Sequence, residues 1–243
     1  MLHKSLIGTD VAQLALWDVQ HTRTNAESLE RSEFDDLWKA DALGGRVFFI
    51  NTGSDGTWDV HLYVDEPVPD ERLPFYKTLN RRFLLRCPSG RLIADGAEYY
   101  MASAEDSPGS EEALQIPPGD YELQLHELCA GDLDDPAYLT TVVSRDDLDY
   151  YLSRNTGFGW GCVGLTASAL VGAFTHWYWG LCVAIGVIVW GGVRRWRHQN
   201  DTRFADIESR LDADRNQYPF FICSLRRIEA DTNLRGGWYN FSG

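Results

Sequence analysis

The chain has 243 residues, 44% of them hydrophobic, and its 36 Asp and Glu outnumber its 22 Lys and Arg to leave a net charge of −14. A chain that acidic repels nucleic-acid phosphates and anionic lipid headgroups, so nucleic acid is excluded as the natural ligand and a basic protein is the partner expected. Five cysteines, Cys87, Cys129, Cys162, Cys182 and Cys223, share no CxxC spacing, which points to unpaired thiols packing as small hydrophobes rather than to a metal site.

In chain order, MLHKSLIGTD lacks the apolar stretch of a signal peptide, so the residues before Gly157 are expected to begin and remain in the cytoplasm. ALWDV reads as a first strand. Residues 27–43 read as a helix, with Phe34, Leu37 and Trp38 at helical spacing, Ser28 as its cap and Gly44-Gly45 as its end. GRVFFINTGSDG is a strand running into a loop. TWDVHLYVD alternates cleanly, Trp58, Val60, Leu62 and Val64 on one face and Asp59, His61, Tyr63 and Asp65 on the other, so the first face is expected to be core and the second solvated. RRFLLRCPSGRLIADGAEYYMA predicts a pair of strands around Pro88, Ser89 and Gly90, and residues 102–112 a polar loop. GDYELQLHEL repeats the alternation, Tyr121, Leu123 and Leu125 against Glu122, Gln124 and His126, after a turn at Pro118-Gly119. AYLTTVVS, 137–144, predicts one more strand.

From Gly157 to Val193, 37 residues carry no Asp, Glu, Lys or Arg. As one helix they would reach roughly 55 Å against a hydrocarbon core of about 30 Å, so the expectation is a transmembrane helical hairpin that turns at its aromatic centre. His176, Trp177, Tyr178 and Trp179 would mark one membrane interface and Trp160, Trp190 and Trp196 the other. Arg194, Arg195 and Arg197 after the run, with Arg145 and Arg154 before it, assign both flanks to the cytoplasm. Gly164, Ser168 and Gly172 on the first helix, with Gly180 and Ala184 on the second, would let the two pack closely. Residues 201–215 read as an amphipathic helix continuing from the membrane as a stalk. YPFFICSLRRIEADTNLRGGWYNF is too short for a core of its own and is expected to return to the sandwich.

These elements predict a mainly β fold, an antiparallel β-sandwich with the transmembrane hairpin inserted before its C-terminal strands. Its parts are an acidic cytoplasmic sandwich over 1–156, the hairpin over 157–193, a stalk helix over 194–217 and the returning strands over 218–243. Residues 1–156 hold 29 Asp and Glu against 13 Lys and Arg, which places the negative charge on the sandwich. The implied location is a bacterial inner membrane, multi-pass, with both termini cytoplasmic and the lipid bilayer as a second partner.

LGGRVFFINTGSDGTWDVHLYVDE, LLRCPSGRLIADGAEYY and LQIPPGDYELQLHEL together resemble the small bacterial β-sandwich proteins typified by competence protein J, a cytosolic inhibitor of a DNA-entry nuclease, and related immunity proteins. The likeness covers roughly residues 34–128, and the membrane hairpin departs from it. It implies an inhibitory or binding role without catalysis.

Catalytic motifs are missing. The six histidines form no HxH, HExxH or HxxxH spacing, and neither GxSxG nor GxxxxGK(S/T) occurs; the GxGxxG spacing of Gly159, Gly161 and Gly164 falls inside the apolar run read as membrane. Asp132, Asp134 and Asp135 lack the terminal Glu of a calcium loop and read as turn residues. No cofactor, metal or catalytic residue is therefore expected. The partner-binding candidates are Asp59, His61, Asp65, Glu122, His126 and Glu127, on strand faces read as solvated. The leading function is a binding protein that inhibits or regulates a protein partner, such as a basic toxin or nuclease. The alternative is a small-molecule-sensing or enzymatic sandwich using His61 and His126.

Overall fold

Strand periodicity sets the architecture, which the computed structural model describes for residues 1–22, 31–100, 113–155, 201–229 and 233–240. The chain divides into two units, Met1–Cys129 with Tyr218–Gly243, and Ala130–Gln217. The first unit holds two five-stranded sheets. One runs β1 (Leu2–Thr9), β4 (Gly56–Val64), β9 (Phe221–Ile228), β8 (Gly119–Leu128) and β5 (Tyr76–Cys87). The other runs β10 (Gly237–Asn240), β3 (Val47–Asn51), β2 (Gln13–Asp18), β6 (Arg91–Gly96) and β7 (Leu114–Gln115).

The alternating residues do what their period dictates. Val60, Leu62, Tyr121, Leu123, Leu125, Phe221, Cys223 and Leu225 from the first sheet meet Leu14, Leu16, Phe48, Ile50 and Leu92 from the second in one apolar layer. Strand β2 is buried on both faces, because Ala15 and Trp17 enter a second layer with Val47, Phe49 and Ile93. Helix α1 (Arg31–Leu43) supplies Trp38, stacked 4.8 Å from Phe49, and the four-residue helix α2 (Ala97–Tyr100) supplies Tyr100. Gly236 lies so close to the end of α1 that an added Cβ would stand 2.0 Å from the Ala42 carbonyl oxygen, which only glycine permits.

The sheets are mixed, which corrects the expected antiparallel sandwich. Strand β9 runs parallel to β4 and antiparallel to β8, and β10 runs parallel to β3. A short hairpin forces antiparallel pairing, but a strand arriving after a long connection can enter from either end. The strands flanking Pro88-Ser89-Gly90 also part company, β5 joining one sheet and β6 the other.

The second unit is helical in its described residues: α3 (Ala130–Leu133), α4 (Pro136–Val142), α5 (Arg145–Asn155) and α6 (Thr202–Arg215). AYLTTVVS is therefore a helix rather than a strand. Asp135 caps it by accepting from the Ala137 N–H at 2.7 Å, and Pro136 fits the first turn, where its missing N–H is not needed. Helix α6 starts at its own cap, the Asp201 carboxylate accepting from the Phe204 N–H, and buries Ile207 and Leu211 with Leu139, Val143 and Leu148. It runs antiparallel to the helices before it. Tyr150 donates to Asp201, Tyr151 stacks on Phe204 at 4.9 Å, Arg203 pairs with Asp147 at 2.7 Å, and Arg210 reaches the Val142 carbonyl.

The transmembrane hairpin is withdrawn, and the multi-pass inner-membrane location with both termini cytoplasmic goes with it. Among the described residues no helix is long and apolar enough to cross a membrane. The longest, α6, has 14 residues, about 21 Å against the roughly 30 Å required, and it carries Arg203, Asp206, Glu208, Arg210, Asp212 and Arg215. The run from 157 to 193, with Trp160, Gly164, Ser168, Gly172, His176, Trp177, Tyr178, Trp179, Gly180, Ala184 and Trp190, lies outside the described residues, as do Arg194, Arg195, Trp196 and Arg197.

Candidate protein-binding surface

The outward face of the first sheet carries most of the residues singled out from sequence. Register aligns Lys4, His61, Ile222, His126 and Thr78 across its five strands. This face is not open. Val68 and Tyr76 bury themselves against Tyr63 and Ile222, with Leu73, Phe75, Leu128 and Tyr218 packed around them, so the segment after β4 roofs the row. His61 and His126 are consequently buried, at 2% and 5% exposure.

Each histidine is held under that roof by named partners. The Arg72 guanidinium donates to His61 Nδ1 at 3.3 Å, which leaves Nε2 to face Asp59 Oδ1 at 3.6 Å. The Thr78 hydroxyl meets His126 Nδ1 at 2.8 Å. Burial pushes the pKa of both imidazoles below the ordinary value. At His61, Asp59 works against that shift, while Lys4 and Arg72 add to it.

The acidic candidates are also engaged. Glu122 accepts from Arg82 at 2.9 Å and from Arg226 at 3.0 Å, so a position read as an acidic face is a cation–anion–cation bridge. Glu127 is buried at 8% and accepts from the Tyr239 hydroxyl. Asp65 occupies a positive-φ turn position, φ 53°, and accepts from the Arg227 N–H at 2.7 Å. Asp59, its side chain 32% exposed, retains access to solvent on the strand face. Among the described residues no cluster of three His, Cys, Asp or Glu could hold a metal.

What sequence reasoning missed is β1. It pairs with β4 in unbroken register from Leu2 opposite Tyr63 to Thr9 opposite Gly56. Its polarity is reversed: His3 and Ser5 turn inward with Ile7, while Leu2 and Leu6 turn outward at 39% and 74% exposure. Met1 is 42% exposed beside them, its amino group paired with Glu66 at 2.6 Å, and Asp59 stands directly across from Leu6. Asp10 and Asp55 flank the far end of the pair, both exposed. Lys77, Arg81, Arg82, Arg86, Arg226 and Arg227, all exposed, lie on β5 and β9 instead. The sheet is thus negative toward β1 and positive toward β5.

No family model matches the chain, and no curated protein matches it. Among solved structures it is similar to the product of crocagin biosynthetic gene J, at 14% identity over 55% of this chain and 81% of that one, with a TM-score of 0.40. It is also similar to ComJ, inhibitor of the DNA degrading activity of NucA, from Bacillus subtilis, at 9% identity over 53% and 85%, with a TM-score of 0.33. The resemblance to competence protein J is thus present and weak.

Proposed function

We propose that the chain is a binding protein that inhibits or regulates a basic protein partner, of which a nuclease or toxin is an example. The observation that supports this reading is the surface at β1, where Leu2 and Leu6 face solvent between Asp59 and Glu66. Exposed apolar side chains with a charged rim are the anatomy of a protein interface, and inward polar residues on the same strand give folding no reason to keep the apolar ones outside. The net charge of −14 steers a basic partner toward that rim and repels nucleic acid. The roofed histidines do not favour the enzymatic alternative, because a substrate would have to displace Arg72 and the packed Val68 and Tyr76.

The test is capture from a native cell extract, with the wild-type chain, Asp59→Lys and Leu6→Arg as baits, at low and then high salt. Basic proteins held by the wild type, released as ionic strength passes the physiological range (Debye length about 8 Å) and reduced with both variants, are the expected outcome. Capture that ignores salt and both substitutions refutes the reading.

A further inference from the structure

The four sheet edges of the first unit are unequal. The β5 edge is occupied in its second half, the N–H groups of Leu84 and Arg86 donating to the carbonyls of Arg235 and Gly45 at 3.0 and 2.7 Å, and its first half is broken by the irregular register between Thr78 and Arg82. Strands β7 and β10 are two and four residues long. Among the described residues β1 offers the longest regular edge, held at its far end where the Thr9 hydroxyl and the Asp10 N–H donate to Glu98. Its eight residues span about 26 Å, and among the described residues no strand pairs its outer side.

Natural edge strands are usually blunted by proline, a bulge, several charged side chains, inward charge or brevity. Strand β1 has no proline, its register with β4 is unbroken, and Lys4 is its single charged residue. The apolar side chains Leu2 and Leu6 stand on its outer face rather than against the core. The charge beside this edge is negative, from Asp10, Asp55, Asp59 and Glu66 against Lys4 and the Met1 amino group. A second copy of the chain would bring the same acids together across the new pair, whereas a basic segment would meet them favourably.

We infer that β1 captures its partner as an added strand, an extended basic segment with alternate apolar residues that becomes the sixth strand of the first sheet. The outward-pointing backbone N–H and C=O groups of Leu2, Lys4, Leu6 and Gly8 supply affinity, Leu2 and Leu6 select apolar side chains on one face, and the carboxylates flanking the strand select lysine or arginine. This rests on the proposed function and goes further, naming the edge and the form of the ligand.

The probe is a synthetic decapeptide alternating lysine and valine, compared with the same peptide methylated at every backbone amide, which keeps charge and side chains but removes the donors. The unmodified peptide should bind at least about tenfold tighter, slow hydrogen exchange of the outward-pointing Leu2, Lys4, Leu6 and Gly8 amides, and lose about tenfold in affinity to Leu6→Arg, a substitution whose exposed site leaves folding intact. Equal, salt-sensitive binding of both peptides without protection of β1 would overturn strand capture while leaving a basic partner in place. Failure of both peptides to bind would overturn it too, the broader reading then resting on the extract capture alone. Concentration-dependent self-association that protects β1 without peptide would assign the edge to a second copy and overturn it as well.

Discussion

His61 and His126 show how a roof changes the meaning of a side chain. Burial disfavours the imidazolium of both, so the folded chain takes up protons at lower pH than the unfolded one. As pH falls through about 6.5 the unfolded state binds protons first, and stability is lost from there downward until the native histidines also titrate. The urea midpoint should therefore drop between pH 7 and pH 5, and His126→Gln, which keeps a polar partner for Thr78, should flatten that slope. An unchanged slope would mean that His126 is not desolvated. Asp18 acts in a lower window. Burial works to raise its carboxyl, but hydrogen bonds from Ser89, Gln20 and Cys87 outweigh that and hold it below the ordinary value, so its contribution is lost only below about pH 4.

At the scale of elements, β9 joins the two halves of the first sheet. It lies between β4 and β8, and Phe221, Cys223 and Leu225 are completely or almost completely buried from its inner face. Phe221→Ala should cost about 3–5 kcal/mol, read as a shift in denaturation midpoint at constant slope, whereas a loss under 1 kcal/mol would contradict its central place. The strands with clean alternation, β4 and β8, are legible in sequence because period 2 states which residues face the core. Other features were hidden for physical reasons. Thr140, Thr141, Val142 and Val143 look like a strand, yet the cap at Asp135 and the proline after it carry a helix. Glu122 looks like an open carboxylate because its arginines lie 40 and 104 residues away in the chain. Strand β1 escaped notice because its outward leucines and inward polar residues break the usual reading of an edge strand.

The whole molecule is two units, the chain leaving the first after Cys129 and returning to it at Tyr218. The end of α5 and the start of α6 lie together in the helical unit, where Tyr150 meets Asp201 and Tyr151 stacks on Phe204. Replacing residues 156–200 with six Gly and Ser residues, which span about 13 Å on average, should leave the helical unit folded, with its helical circular dichroism signal and the Tyr151–Phe204 proximity retained. Loss of both would show that the connection itself holds α5 and α6 together.

A ribosome making this chain finishes β4 and β8 long before the strand that belongs between them. At about 5–20 residues per second, the 92 residues separating Leu128 from Phe221 take roughly 5–18 s. For that interval β4 and β8 each present a bare inner edge, and the nascent sheet has no route to closure except by waiting. Such an intermediate is a natural client for chaperones and a natural seed for aggregation, so the yield of folded protein should depend on translation speed across residues 129–220 as much as on the stability of the finished sandwich.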